Sequence, residues 1–323
     1  MKSSLALGRF VAQLPHKSVL QVSGPDAQKF LKGLSCKDVD SLKGGYSGFL
    51  NASGRVLHTC FIFPVDRSTY IITHESPLGH PAPLQNLLPP FKLRAKVKIR
   101  DVSEEWDAWA AWGVAGAKAP NRVWRRGSGG AAESQWSWDG EPEDLGLREG
   151  EIGCWDLRAG YDGMQLLIPK GADLKASLSA DRASTSDYHL RRMTLGVPEG
   201  PDEIIPGAAL PLESCMDLHG GVDFRKGCYL GQELTVRTYH TGATRKRILP
   251  VRGNIGDIRY FPLASTKSRP AGKILAMHNT GQVGLGLVRL EYLERMEAGD
   301  GFLRVEDEDI WVGRGEAYAA ATS

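Results

Sequence analysis

The sequence predicts an α+β protein that ends in a small, separate antiparallel β-barrel. Strand-like and helix-like segments intermix in the first part of the chain, and two apolar runs flank a glycine-bearing turn, as in a β-hairpin. Short segments of alternating apolar and polar residues follow one another after residue 244. We therefore place the boundary between a body, 1–245, and a barrel domain, 246–323, near residue 246.

The body begins with a strand and then a helix at residues 25–31, because Pro25 suits the first helical turn and Gly33 suits a helix end. A hairpin follows, in which the turn is Ala52-Ser53-Gly54-Arg55. Strands are expected in the body at residues 18–22, 46–51, 56–63, 70–73, 95–100, 106–114, 152–157 and 164–168.

A stretch of about residues 120–150 is rich in glycine, serine and charge, which predicts a surface insertion in place of core. Trp136 and Trp138 within it need a neighbour to cover them. A helix through Leu195 is expected next, with Ser186 as its N-cap. The strands expected in the barrel are residues 247–251, 273–277, 283–290 and 309–318.

Composition limits the classes of function. The 323 residues are 41% hydrophobic and 24% charged, as in an ordinary globular chain, and the net charge of +2 is no general reason to expect nucleic acid or an anionic membrane. No apolar run reaches the roughly 18 residues of a membrane helix. The five cysteines never form a CxxC or CxH pattern, which favours a reducing compartment. They are Cys36, Cys60, Cys154, Cys215 and Cys228.

Residues 226–233, Lys-Gly-Cys-Tyr-Leu-Gly-Gln-Glu, are the most informative stretch. Cys228 stands between two glycines, after Lys226 and before a helix start expected near Gly231. A lysine charge, the N–H groups of a helix end and exposure would all favour the thiolate, which binds metal or attacks an electrophile. The alternative is a buried cysteine, with Gly227 and Gly231 serving only a tight turn.

The neighbours of Cys228 have weaker assignments. Gln232 and Glu233 are expected to cap backbone donors at the helix start, and Tyr229 to cover one side of the cysteine. Lys226 and Arg237 are candidates to meet an acidic partner. For each of these side chains, a structural or solvated role is the alternative.

The same motif, extended to Thr238, resembles the signature of the YgfZ family in the folate-binding aminomethyltransferase-like superfamily, which also contains the glycine-cleavage T-protein. The resemblance spans nearly the whole chain except the insertion after Pro120. Within it, the nearest branch is the mitochondrial iron-sulfur cluster assembly factor. The other matching segments are residues 24–31, 49–55, 198–200, 210–213 and 283–289.

This resemblance implies a folate-binding-type fold in three subdomains, of which the last is the barrel. It also implies a mitochondrial matrix protein, with its presequence absent or removed, that acts late in [4Fe-4S] cluster maturation with A-type scaffold proteins. A thiolate is the usual protein ligand of such clusters, and a [2Fe-2S] cluster takes four ligands. We therefore expect Cys228 to share a transient cluster with a partner, in a chain that is monomeric when alone.

The alternative function is a tetrahydrofolate-dependent one-carbon transferase like the T-protein. That enzyme carries an Asp-Asp pair after the hairpin turn, whereas the matching residues here are His58 and Thr59, which argues against its chemistry, and no catalytic residue is assigned. His58 is expected to be an ordinary hydrogen-bonded or surface residue. Glu213 matches the carboxylate that receives the folate pterin, so tetrahydrofolate binding without turnover is a further expectation. Relatives often have asparagine where this chain has Cys215, which weakens that expectation.

The basic run Arg245-Lys246-Arg247 invites comparison with RNA-binding proteins. No interleaved aromatic residues accompany it, and three charges at the entry of a β-domain are more often solvated. We therefore expect no direct contact with nucleic acid.

Overall fold

A computed structural model of the chain describes residues 8–40, 42–77, 79–114, 120–140, 144–172, 180–263, 267–281 and 283–323. The strands in these ranges are β1 (Phe10–Gln13), β2 (Ser18–Ser23), β3 (Gly45–Leu50), β4 (Val56–Asp66), β5 (Thr69–His74), β6 (Lys98–Asp101), β7 (Trp106–Trp112), β8 (Asn121–Arg126), β9 (Ala132–Ser137), β10 (Ile152–Asp156), β11 (Gly163–Pro169), β12 (Asp181–Arg182), β13 (Lys246–Arg252), β14 (Asp257–Pro262), β15 (Arg269–Met277), β16 (Gly284–Arg289), β17 (Gly301–Val305), β18 (Glu308–Asp309) and β19 (Trp311–Val312). The helices are α1 (Ala27–Lys32), α2 (Leu84–Leu87), α3 (Thr185–Leu195), α4 (Gln232–Thr241), α5 (Leu290–Glu297) and α6 (Glu316–Thr322), with a 3₁₀ turn at Pro89–Phe91.

Two five-stranded sheets form the body. One has the order β3-β4-β5-β2-β6, and its β3–β4 hairpin turns through the expected residues 51–55. The other has the order β10-β11-β7-β1-β12, in which β1 pairs with β12 in parallel and all other pairs are antiparallel. A large apolar cluster joins residues of both sheets, including Phe61, Ala110 and Leu167. This common core holds the loops around the sheets in place.

The C-terminal region is a seven-stranded antiparallel sheet of order β18-β17-β14-β15-β16-β13-β19. Its two edge strands are separated along the chain by Ile310 alone, so the sheet curls back on itself into a nearly closed barrel. The interior contains Val251, Ile258 and Leu303, which are almost fully buried. The prediction of an α+β body followed by an antiparallel barrel is confirmed.

The prediction of a surface insertion at about residues 120–150 is wrong for its first half. β8 and β9 form a hairpin, and residues 131–134 are buried. The glycines explain the close packing, because a Cβ on Gly127 would lie 2.5 Å from the carbonyl oxygen of Tyr239. Trp138 finds its expected neighbours in Trp155 and Tyr161. Residues 141–143 lie outside the described ranges.

The expected start of α3 is two residues late. Ser184 is the N-cap: its hydroxyl accepts from the Asp187 N–H at 3.1 Å, and the Asp187 carboxylate accepts from the Ser184 N–H at 2.9 Å. In this capping box, each of the two side chains accepts a hydrogen bond from the backbone N–H of the other residue, which marks Ser184 and not Ser186 as the N-cap. The Ser186 hydroxyl instead contacts Nε2 of His278 in the barrel at 2.9 Å.

Two further boundaries differ from the sequence prediction. The first helix starts at Ala27, with Pro25 before its N-cap Asp26. The expected strand at residues 309–318 ends at Val312, and the chain turns at Gly315 into α6, because its alanine-rich segment favours a helix. The Tyr318 ring of α6 is buried in the barrel core.

Candidate functional site

Cys228 lies in a loop that precedes α4, and its side chain is exposed. The other four cysteines, Cys36, Cys60, Cys154 and Cys215, are buried. The structure therefore places this sulfur where another protein can reach it, and leaves the alternative of a buried Cys228 without support. α4 begins at Gln232 with Gly231 as its N-cap, which confirms the expected helix start.

The cysteine loop, residues 226–231, is fixed to the end of α1. The Lys226 ammonium donates hydrogen bonds to the carbonyl oxygens of Lys32, Ser35 and Lys37 at 2.7, 2.6 and 2.9 Å. The Leu230 N–H donates to the carbonyl of Gly33 at 3.0 Å. Burial lowers the pKa of Lys226 to about 8. Because all three ammonium protons are used, Lys226 holds the loop and does not face an acidic partner, which corrects that expectation.

Gly231 docks the cysteine loop on the β3–β4 hairpin turn. Its φ is +77°, and a Cβ there would lie 2.2 Å from the carbonyl oxygen of Asn51. Across the contact, Gly54 also has a positive φ, and a Cβ there would lie 2.9 Å from the carbonyl oxygen of Gly231. Gly227 differs, since a Cβ there would meet no atom nearer than the Cε of Lys32 at 3.9 Å. The tight turn therefore requires glycine at position 231, whereas position 227 has room for a larger residue.

We expect Gly231→Ala to lower the free energy of unfolding by about 2 kcal/mol or more, because the left-handed backbone alone costs an L-residue roughly 1–2 kcal/mol and the clash with Asn51 adds to it. The matched variant Gly227→Ala should change it by less than about 0.5 kcal/mol. Urea unfolding of both variants measures the difference. Equal losses would contradict this account of the loop.

The remaining residues of the motif divide between the core and the surface. Tyr229 is buried, and its ring lies 4.9 Å from the Lys226 ammonium, so it anchors the loop from inside and is not a cover on the surface. Gln232 caps as expected, because its Oε1 accepts from the Tyr229 N–H at 3.1 Å. Glu233 and Arg237 are exposed four residues apart, on one face of α4. That face is open to solvent beside the cysteine loop.

His58 is buried and committed to the protein backbone. Its Nε2 lies 2.5 Å from the carbonyl oxygen of Ala82, and its ring stacks on His80 with centroids 4.3 Å apart. Burial lowers the pKa of His58 to about 4 and that of the neighbouring His74 to about 3. Of the two expected roles of His58, the hydrogen-bonded one is correct. The surface one is wrong, because the side chain is buried. A neutral, enclosed imidazole here does not replace a pair of carboxylates.

These buried histidines predict a loss of stability in mild acid. The unfolded chain binds protons on them below a pKa of about 6.5, whereas the folded chain does not until about pH 4, so the free energy of unfolding falls as pH falls through this window. Each should contribute roughly 2 kcal/mol of loss between pH 7.5 and 5. Urea unfolding of His58→Gln at the two pH values should show a smaller loss than the parent protein. The variant His240→Gln, at an exposed histidine, serves as the control. If His58→Gln lost as much free energy of unfolding between pH 7.5 and 5 as the parent protein, the assignment of this loss to His58 would be wrong.

Glu213 is half-buried and lines a cavity of about 300 Å³ between the 210–213 loop, α4 and the start of β13. Cys215, two residues on, has a φ of +59° and is buried, with its thiol 3.4 Å from the carbonyl oxygen of Ile248. Asparagine adopts that left-handed backbone more readily than most residues. The backbone at Cys215 would therefore suit the asparagine that the family resemblance implies for this position.

The basic run at the entry of the barrel is solvated only in part. Arg245 is exposed and Lys246 is half-buried, but Arg247 has no exposed surface. Its guanidinium forms two hydrogen bonds of 2.9 Å with the equally buried carboxylate of Asp217. The expectation of three solvated charges is therefore wrong at Arg247, which joins the barrel to the body.

A second buried charge network, which the sequence does not predict, lies in the body. The Lys17 ammonium lies 2.7 Å from carboxylate oxygens of both Glu75 and Glu199, and Arg158 reaches the other oxygen of Glu199 at 2.5 Å. His16 lies beside the two carboxylates in an arrangement that would suit a metal ion, but both carboxylates are already paired with the Lys17 ammonium. Glu199 belongs to the Pro-Glu-Gly segment of the family resemblance. That match was the one feature of the sequence that pointed to a residue of this network.

Known proteins resemble this chain in sequence and in fold. Residues 245–313 match the model of the CAF17 C-terminal beta-barrel domain. The mitochondrial iron-sulfur cluster assembly factor IBA57 homolog of Cryptococcus neoformans is 57% identical, with 96% of each chain covered. The homolog of the same name from Coccidioides immitis is 36% identical over 86% of this chain and 71% of its own. The glycine cleavage aminomethyltransferase T of Bartonella henselae has a similar fold, with a TM-score of 0.64 at 13% identity over 94% of this chain and 84% of its own.

Proposed function

Because this chain belongs to the family of the mitochondrial iron-sulfur cluster assembly factor IBA57, we propose that it presents the Cys228 thiolate to an A-type scaffold protein as one ligand of a shared, transferable iron-sulfur cluster. Iron-sulfur cluster assembly is the activity named for these relatives. To this activity we add three proposals: Cys228 is the cluster ligand, an A-type scaffold protein is the partner, and the stage is late [4Fe-4S] maturation.

The observation that carries the proposal is the exposed sulfur on an anchored loop. Thiolates are the usual protein ligands of iron-sulfur clusters, and a [2Fe-2S] cluster takes four of them. Cys228 is the only one of the five cysteines with an exposed side chain. The chain therefore supplies one ligand, and the other three come from the partner, which makes the predicted species a heterodimer bridged by the cluster.

The anchoring of the loop suits transfer. Lys226 and Gly231 hold the backbone on either side of Cys228 against α1 and the hairpin, so little conformational freedom is lost when the sulfur meets iron. The open face of α4 with Glu233 and Arg237 lies next to it and offers polar contacts to a partner. Family membership places the protein in mitochondria, and we propose the matrix as its compartment. None of the helices in the described ranges is long and apolar enough to span a bilayer.

The experiment mixes the reduced protein, which we propose is a monomer when alone, with a cluster-loaded A-type scaffold and records visible absorption and native mass. We expect a one-to-one complex whose mass includes the cluster and whose absorption differs from that of the scaffold. A scaffold that keeps its cluster and its spectrum, with no complex at micromolar concentrations, would contradict the proposal.

The alternative of a one-carbon transferase has weak structural support. The likeness to aminomethyltransferase T is one of fold, and the positions of its acidic pair hold the buried His58 and the half-buried Thr59. We therefore propose that the protein is not a catalyst. Incubation with a methylamine donor and tetrahydrofolate tests this directly, and steady formation of a one-carbon folate would restore the enzymatic alternative.

We also propose that tetrahydrofolate binds with its pterin at Glu213. A carboxylate accepts from the adjacent N–H donors of a pterin edge. The cavity of about 300 Å³ is at the small end of ligand sites, so it would hold one end of the molecule. A titration with tetrahydrofolate should give a saturable signal that Glu213→Ala removes, and no saturation at millimolar ligand would end this proposal.

A further inference from the structure

The cavity beside Glu213 is lined by more positive than negative side chains. Three cationic side chains, Arg245, Lys246 and Arg289, line it with this single carboxylate. Across the described ranges, the side chains of Glu213, Arg245 and Lys246 have no hydrogen bond or ion pair, and Arg289 meets only the exposed Glu291 at 3.8 Å. The cavity thus holds charges of both signs that the protein itself leaves unmatched, with the cations in the majority.

Two buried hydroxyls mark the same cavity. Thr235 is 2% exposed and Thr244 is 7% exposed, and both line it. The Oγ1 atoms of both residues lack a hydrogen-bond partner within the part of the chain that the structure describes. Buried polar groups are nearly always paired, and leaving one unpaired costs about 1–3 kcal/mol. A polar ligand in this cavity would supply the partners that the two hydroxyls lack.

Most of the rest of the wall is apolar. Leu210, Leu212 and Leu234 line the cavity together with the cations and the hydroxyls. A ligand that satisfies the whole wall needs an anionic group for the cations, an N–H donor for Glu213 and a small apolar group between them. An amino acid whose amine is acylated has these three parts within a few ångströms, whereas a free, protonated amine would add a further positive charge to the three cations of the cavity.

We propose that this cavity binds the carboxylate end of an acylated amino acid with an apolar side chain. The source is either a free molecule of that kind or the C-terminal residue of a polypeptide, because the two present the same chemistry. Arg245 and Lys246 bind the carboxylate, Glu213 accepts from the amide N–H, and the Thr235 hydroxyl donates to an oxygen of the ligand. This ligand differs from the pterin proposed above, since a pterin ring carries no carboxylate, and the two would compete for Glu213.

The position of the cavity connects it to the cysteine loop. Leu234, Thr235 and Thr238 belong to α4, the helix that begins directly after the loop of Cys228. At 1.5 Å per residue, Thr235 is only about 5 Å along the helix axis from its first residue. A polypeptide terminus held in this cavity would therefore contact the helix that begins directly after the loop of the proposed cluster ligand.

Calorimetric titration of the full chain with N-acetyl-leucine tests the proposal. We expect saturable binding, with affinity lower by at least tenfold for N-acetyl-leucinamide, which lacks the charge, and for inorganic phosphate, which lacks the apolar and N–H groups. A hexapeptide ending in leucine separates the sources: tighter binding than N-acetyl-leucine supports a polypeptide terminus, and equal binding supports a small free molecule. No saturation at tens of millimolar, or equal binding of the amide or phosphate, would overturn the assignment.

Variants locate the binding. Lys246→Gln and Arg245→Gln should each weaken N-acetyl-leucine binding by about tenfold or more, as expected for a lost charged hydrogen bond, whereas Lys273→Gln, an exposed cation of the barrel, should not change it. Thr235→Val removes an unpaired hydroxyl at constant shape, so it should weaken binding without lowering the Tm of the free protein. If Lys246→Gln, Arg245→Gln and Thr235→Val all bind N-acetyl-leucine like the parent protein, the ligand lies elsewhere and the proposal is wrong.

Discussion

Replacing Cys228 by serine is expected to abolish the cluster-bridged complex with an A-type scaffold while leaving the fold unchanged. The side chain is exposed, so the substitution removes no core packing, and the free energy of unfolding should change by less than about 0.5 kcal/mol. A serine hydroxyl is not ionised at neutral pH and is a poor ligand for iron-sulfur clusters, which prefer thiolates. Visible absorption and native mass of the mixture measure the loss.

The matched control is a cysteine that a partner cannot reach. Cys60 is 3% exposed, in the core under the sheet that carries the hairpin. Cys60→Ala should lower stability through lost packing and keep the complex and its spectrum. If the complex of Cys228→Ser had unchanged absorption, or if Cys60→Ala lost the complex while still folded, the assignment of the ligand would be wrong.

The largest expected effect on stability is at the buried ion pair of Arg247 and Asp217. Both side chains are fully buried, and Arg247 also donates to the carbonyl oxygens of Leu212 and Gly130 at 2.8 and 2.9 Å. One guanidinium thus connects the barrel strand β13, the 210–220 segment and the β8–β9 hairpin. Asp217→Ala leaves that charge uncompensated, which typically costs about 3–5 kcal/mol. Urea unfolding at neutral pH measures it.

A double variant separates the ion pair from its surroundings. Arg247→Met with Asp217→Leu should be more stable than Asp217→Ala, because no unpaired charge remains in the core. The exposed pair of Arg304 and Asp309 is the control, and Asp309→Ala should cost less than about 1 kcal/mol. Similar costs for Asp217→Ala and Asp309→Ala would show that burial does not govern the contribution of Arg247.

The same arginine shows where sequence reasoning reaches its limit. The basic run predicts a solvated Arg247 because local sequence shows three adjacent charges and not what lies across from them. Its partner, Asp217, is thirty residues earlier in the chain. Lys226 is a similar case, since its acceptors are carbonyl groups of residues 32–37, which carry no sequence signal.

The hairpin after Asn121 is a different kind of error. Its glycines and serines are typical of a loop, yet they are there because Gly127 and Gly129 pack against the backbone of α4 and the residues after it. A Cβ on Gly129 would lie 2.3 Å from the carbonyl oxygen of Gly242. Close backbone approach and flexibility require the same residue, so composition alone does not distinguish them.

Local rules determined the elements of this protein. Apolar runs predicted most strands of the body, and alternation of apolar and polar residues predicted β13, β15 and β16 of the barrel. The turn at residues 52–55 predicted the hairpin, and the motif around Cys228 predicted an exposed sulfur before a helix start. These features depend on residues within a few positions of one another. Only the tertiary structure decided what holds the cysteine loop and what surrounds Glu213. Those contacts join segments that are distant in sequence, and their energies depend on burial, which a single segment does not contain.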